Sequence, residues 1–207
     1  MPEARQIETP GGPGRAFTYA ASGPDPLATV VLGHGAGGGL GASDLVLLAR
    51  ALPERGYRVI LIEQPWKVAG RKIAGRPPTL DAAWVPMIAA LGIVGPLVVG
   101  GRSAGARVAC RTAAEVGASG VLCLSFPLHP PGKPEASRAG ELRAPGGHGI
   151  PVRVVQGERD PFGGPDEVRA ELADPSWVAG VPGTHSLGRT PTEVLAATLT
   201  FLPALTT

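Results

Sequence analysis

The stretch Leu97-Val98-Val99-Gly100-Gly101-Arg102-Ser103-Ala104-Gly105 decides how the rest of this chain is read. Leu97–Val99 is a short apolar, β-branched run, the pattern of a buried strand. The glycines then break it, and the residues from Ala104 to about Val116 have helical spacing. Ser103 therefore sits in a G-x-S-x-G turn between a strand and a helix. Such a turn lifts the serine hydroxyl clear of the sheet, and it forces close backbone approaches that only small flanking residues allow. The start of the following helix aims N–H groups and a positive dipole end at any negative charge that develops beside the serine.

Outward from this turn, short buried runs alternate with helix-length runs. Strands are expected at Thr29–Leu32, Arg58–Ile62, Val121–Ser125, Val152–Val155 and Trp177–Val181, with Phe17–Ala21 as an early edge strand. Ser43 suits the N-cap of a helix to about Glu54, stopped by Gly56, and Thr79 the cap of a helix to about Leu91. A short helix over Asp166–Leu172 follows, and Pro191 suits the first position of a closing helix to Phe201. This alternation predicts an α/β fold with a mostly parallel sheet flanked by helices, as one domain over residues 1–207. The basic, Gly/Pro-rich run Gln64–Pro78 reads as a loop over one end of the sheet. Pro127–Gly149 is too long for a simple connection and reads as a functional loop.

Bulk properties narrow the classes. The 207 residues carry a net charge of +2 with no block of like charges, which points away from nucleic acid and from an anionic membrane surface. No apolar segment precedes Arg15 as a leader would need. The most apolar stretch, Met87–Gly101, is broken by Gly92, Gly95 and Pro96 and falls short of the roughly 20 residues that span a bilayer. Cys110 and Cys123 lie in apolar runs and read as small buried residues, which with the rest suggests a reduced, cytoplasmic setting. His34, His129, His148 and His185 are scattered, so neither a metal nor another cofactor is expected.

A serine hydroxyl needs a base to become a nucleophile. His185 follows the last expected strand, and Asp160 follows the one before it, giving the order Ser103, Asp160, His185. Successive strand ends would bring all three to one edge of the sheet. His129 and His148 are the alternates to His185. The run His34-Gly35-Ala36-Gly37-Gly38 leaves the first buried strand. Its Ala36 N–H, with that of Ala104, is the expected oxyanion donor pair, while His34 is expected to pack or hydrogen-bond within the loop. Trp66, Arg102, Phe126, Leu128 and Phe162 follow strand ends and are the expected substrate-binding residues.

Together GHGAGGG (33–39), GGRSAG (100–105), QGERDPFG (156–163) and GTHSL (183–187) resemble the α/β-hydrolase superfamily along nearly the whole chain. More narrowly, they resemble a compact, dienelactone-hydrolase-like bacterial group. That group is related to the hydrolase-like domain of an animal chromatin-complex subunit and to a testis-expressed protein. The resemblance implies the hydrolase fold without a large cap domain and a Ser-His-Asp triad, with no settled substrate. Dienelactone hydrolases use cysteine where this chain has Ser103, so their activity does not carry over. The expectation is a serine hydrolase acting on a small-molecule ester or thioester.

Two other classes compete. Gly33 to Gly38 also fits G-x-G-x-x-G, with Glu63 where a dinucleotide-binding fold places its ribose-binding acid. Against that, the glycine loop runs on to Gly41 before a helix can begin, an earlier strand precedes it, and Ser103, Asp160 and His185 are left without a role. The other alternative is a non-catalytic, hydrolase-like module that binds a protein partner, because fold does not fix function.

Overall fold

The computed structural model describes residues 2–37 and 39–206. Its frame is one eight-stranded sheet: β1 Glu3–Ile7, β2 Gly14–Tyr19, β3 Ala28–Gly33, β4 Tyr57–Glu63, β5 Leu97–Arg102, β6 Gly120–Leu124, β7 Val152–Gly157 and β8 Val178–Val181. The spatial order is β1-β2-β4-β3-β5-β6-β7-β8. The first two pairings are antiparallel and all later ones are parallel. Helices α1 Ser43–Ala51, α2 Pro65–Val68, α3 Pro77–Ala89, α4 Ala104–Thr112, α5 Ala139–Arg143, α6 Pro165–Arg169 and α7 Pro191–Phe201 lie in the connections.

The central strands β3, β5 and β6 are buried on both faces, as a sheet covered by helices on both sides requires. Alternate residues feed two separate cores. Val31, Val99, Val121 and Val154 pack with Trp84 and Met87 of α3 and Ala106 and Ala109 of α4. Val30, Leu32, Val98 and Val155 pack with Leu45 and Leu48 of α1 and Val194 and Phe201 of α7. The sheet is thus pinned from both sides, and the chain ends of β5, β7 and β8 are presented from a rigid layer.

Several local expectations are corrected. The N-terminal residues form β1, although every side chain in it except Ile7 is exposed. A solvated edge strand carries no apolar alternation, so nothing in its pattern announced it. The strand expected over Phe17–Ala21 is β2, one position in from that edge. Ser43 does not cap α1: Ala42 holds that position, and the Ser43 hydroxyl donates to the Gly188 carbonyl oxygen at 3.2 Å. Thr79 lies inside α3, which opens at Pro77 because a proline at the first turn has no N–H to leave unpaired. The long segment after β6 is not a plain loop, since it holds α5 and a 3₁₀ turn over Ala144–His148.

The dinucleotide reading does not survive the topology. Two antiparallel strands occupy the flank beyond β4, and after β3 the chain makes a 3₁₀ turn at Gly39–Gly41 before α1 begins at Ser43. The helix that follows β3 thus does not open on the first glycines, and Gly38 lies outside the described residues. Glu63 instead faces Arg15 of β2 at 3.7 Å. Among the described residues no helix is long and apolar enough to cross a membrane.

Candidate active site

Ser103 is the residue between β5 and α4, with φ 53° and ψ −108°, a conformation rarely adopted by a residue with a side chain. Its N–H donates to the Leu124 carbonyl oxygen at 2.9 Å, fastening the turn to β6. The two flanking glycines answer to one neighbour, the end of β3. Gly101 has φ 150°, and a Cβ there would collide with the Gly33 carbonyl. A Cβ on Gly105 would lie 2.5 Å from the same oxygen. The motif spacing is therefore a packing requirement between two parallel strands and a helix start.

The hydroxyl of Ser103 donates to His185 Nε2 at 2.8 Å. On the other side of the ring, His185 Nδ1 donates to Asp160 Oδ2 at 2.9 Å, with Oδ1 at 3.1 Å. These partners together require the tautomer with its proton on Nδ1, leaving Nε2 free to accept. Asp160 has no exposed side-chain surface. Its Oδ1 also accepts the Phe162 N–H at 2.9 Å, and its Oδ2 accepts from Gln156 Nε2 at 3.0 Å. The Phe162 ring lies against the imidazole, centroids 4.2 Å apart. The loops carrying acid and base continue the β7–β8 pairing past the strand ends. Glu158 N–H donates to Val181 O and Arg159 N–H to Gly183 O, both at 2.9 Å.

The loop after β3 presses against the serine, since a Cβ on Gly35 would sit 3.3 Å from Ser103 Cβ. His34 holds this loop. Its Nδ1 donates to the Gly35 carbonyl oxygen at 2.8 Å, and its Nε2 accepts the Gln64 N–H at 3.2 Å. Burial, partly opposed by the bond to Gly35, lowers the His34 pKa, so the ring stays neutral and keeps both bonds. Neither the Ala36 nor the Ala104 N–H donates to another described residue.

The five expected substrate-binding residues divide. Phe162 is half-buried at the imidazole. Trp66 is buried against His34, centroids 5.3 Å apart, and lines with Ala104 a cavity of only about 10 Å³. Phe126 and Leu128 are core residues, buried with the α3 and α4 side chains, and offer no surface to a ligand. Arg102 is not free for an anion: its Nε lies 3.1 Å from Asp44 Oδ2, and a terminal nitrogen donates to the His185 carbonyl oxygen at 2.9 Å. Of the alternate histidines, His129 pairs with Glu167 at 3.0 Å, and His148 is exposed at the end of its 3₁₀ turn. Sequence reasoning missed Asp44, in the first turn of α1, and Gln156. A glutamine at the end of the apolar run Val152–Val155 was the signal for the latter.

Comparisons with known proteins agree with this architecture. A family model described as an alpha/beta hydrolase domain matches residues 26–193. No curated protein matches the chain in sequence. Among solved structures, it is similar to an α/β serine hydrolase without a lid from Xanthomonas campestris: TM-score 0.71, 18% identity, covering 100% of this chain and 96% of that one. An α/β serine hydrolase homologue from Coxiella burnetii gives TM-score 0.74 at 16% identity, covering 96% of each chain. An esterase domain from a Rhodothermus marinus protein gives 0.70 at 14%, covering 99% of this chain and 98% of that one. At these identities the likeness is one of fold.

Proposed function

The chain belongs to the alpha/beta hydrolase domain family, and we propose that it is a serine hydrolase that cleaves a small ester or thioester through an acyl-enzyme. We further read the whole chain as one such domain. The observation that carries the proposal is the unbroken hydrogen-bond line from Ser103 Oγ through His185 to Asp160.

In this mechanism Ser103 Oγ attacks the carbonyl carbon as His185 Nε2 takes its proton. Asp160 holds the ring in the required tautomer and stabilises the imidazolium that forms. The carbonyl oxygen becomes an oxyanion held by the N–H groups of Ala36 and Ala104, a contribution of about 2.7–4 kcal/mol per donor. His185 returns the proton to the leaving alcohol or thiol. Water then attacks the acyl carbon with His185 again as base, and Ser103 is released. The similar esterase domain supports the ester reading.

Labelling with a fluorophosphonate probe tests this, because the probe reacts with a serine only where a base and oxyanion donors activate it. Expected are modification at Ser103, its loss in His185→Ala, and turnover of p-nitrophenyl acetate that Ser103→Ala abolishes. A folded protein that neither labels nor turns over an ester panel overturns the proposal. That outcome would favour the binding-module reading, whose support is an apolar groove of about 520 Å³ lined by Leu142, Ile150, Val152, Leu172 and Trp177. The groove lies by Val152, at the start of β7, while Asp160 lies beyond its other end.

A further inference from the structure

Gln156 is the last side chain of β7 before Gly157, and it is fully buried. The two protons of its Nε2 are shared among three acceptors: Gly163 O at 2.7 Å, Asp160 Oδ2 at 3.0 Å and Phe126 O at 3.2 Å. Its Oε1 faces a donor, the Phe126 N–H, at 2.9 Å. This pattern fixes the amide orientation, since a flipped group would set its oxygen against three oxygens and its NH₂ against an N–H. Ser125 turns the chain out of β6 at φ 48°, and the next N–H is the one that Gln156 receives.

Three things therefore converge on one neutral amide: the exit from β6, the Asp160 carboxylate and the turn at Gly163. The carboxylate oxygen that it touches is the one nearest His185 Nδ1. We infer that Gln156 is a positioning residue, one that aims the Asp160 carboxylate at His185 by anchoring it to the loop after β6. This inference rests on the hydrolase reading for its effect on turnover, but not for its effect on the Asp160–His185 hydrogen bond. A buried carboxylate on a turn needs such a donor. Without it the group turns toward whatever N–H remains, and a misaimed base costs rate out of proportion to the distance moved.

The test compares wild type with Gln156→Met, which keeps the side-chain length and removes both amide groups, and with Gln156→Asn, which keeps the amide but shortens its reach. The readouts are p-nitrophenyl acetate kinetics and the far-downfield proton NMR signal of the hydrogen-bonded His185 Nδ1–H. In a folded variant kcat is expected to fall about 10–100-fold with KM within about threefold, and the downfield signal to be lost or broadened. If Gln156→Met does not fold, Gln156→Asn carries the same expectation. Unchanged kcat and an unchanged downfield signal in a folded variant overturn the inference. A wild type that turns over no ester but loses its downfield signal on substitution supports the inference while refuting the hydrolase reading.

Discussion

The guanidinium of Arg102 donates to the main-chain oxygen of His185 at 2.9 Å while its Nε faces Asp44. The residue before the serine thus holds the backbone of the residue proposed as its base. Asp44 is 1% exposed and Arg102 12%, so the pair is effectively internal. Breaking such a pair from one side leaves an uncompensated charge and costs about 3–5 kcal/mol, whereas replacing both partners by apolar groups is often neutral. Arg102→Met is expected to lower thermal stability strongly and to lower kcat. Arg102→Met with Asp44→Leu should regain most of the stability but not the kcat. Denaturant melts of both variants, set beside their kinetics, check this.

Ser103 itself carries backbone strain. A residue with a side chain at φ 53°, ψ −108° costs of order 1–3 kcal/mol, and glycine escapes most of that while losing more entropy on folding. Ser103→Gly is expected to be inactive yet more stable than wild type by about 1 kcal/mol. An equilibrium unfolding curve shifted to lower denaturant would contradict it.

Gly105 lies in the first turn of α4, where helix propensity alone would favour alanine by about 1 kcal/mol. The packing decides otherwise. The added Cβ would meet the carbonyl oxygen of Gly33 at 2.5 Å and its carbon at 2.6 Å, and these are backbone atoms that a side-chain rotation cannot move. Gly105→Ala is expected to lose about 1–3 kcal/mol and, because Gly33 leads into the loop against Ser103, most of the activity. Parallel unfolding and esterase assays measure the two losses.

His129 fastens the segment after β6 to α6 through Glu167. The Pro130 carbonyl first, and Glu167 after it, raise the His129 pKa, while the Gly164 N–H first, and His129 after it, lower that of Glu167. A raised histidine stabilises below its ordinary value of 6.5, and the effect fades as pH climbs through the folded value. A depressed glutamate stabilises above its ordinary 4.5 and fades as pH falls through its folded value. The difference in Tm between wild type and His129→Gln should therefore be largest between pH 4.5 and 6.5 and shrink above that. Melting curves across pH 4–9 would show it; a difference that grows with alkalinity would refute the pairing.

Much of this was legible in the chain itself. The parallel strands announce themselves because burial on both faces demands unbroken apolar runs, as in Val30–Leu32. Ser103, Asp160 and His185 each follow a recognisable strand, so their meeting at one sheet edge could be expected before any distance was known. What stayed hidden depends on contacts across the fold. β1 exposes almost all its side chains and left no pattern. Phe126 and Leu128 follow a strand end, but the chain turns inward there, so position along the chain did not tell lining from core. Arg102, at the end of β5, looked free because its partner Asp44 lies far away in the chain on α1 and the carbonyl it holds belongs to a distant loop.

The bonds from Glu158 to Val181 and from Arg159 to Gly183 mean that acid and base ride on one zipped platform. The distance between them is set at the base of the two loops, not by the length of chain that joins them. The excursion through α6 and the turn at Pro175–Trp177, which carries the chain across to the start of β8 at the opposite end of the strands, does not itself set that distance. The spacing of acid and base is therefore a property of the sheet edge rather than of the connection: like two rungs of one ladder, they keep their separation whatever the far side of the crossover does.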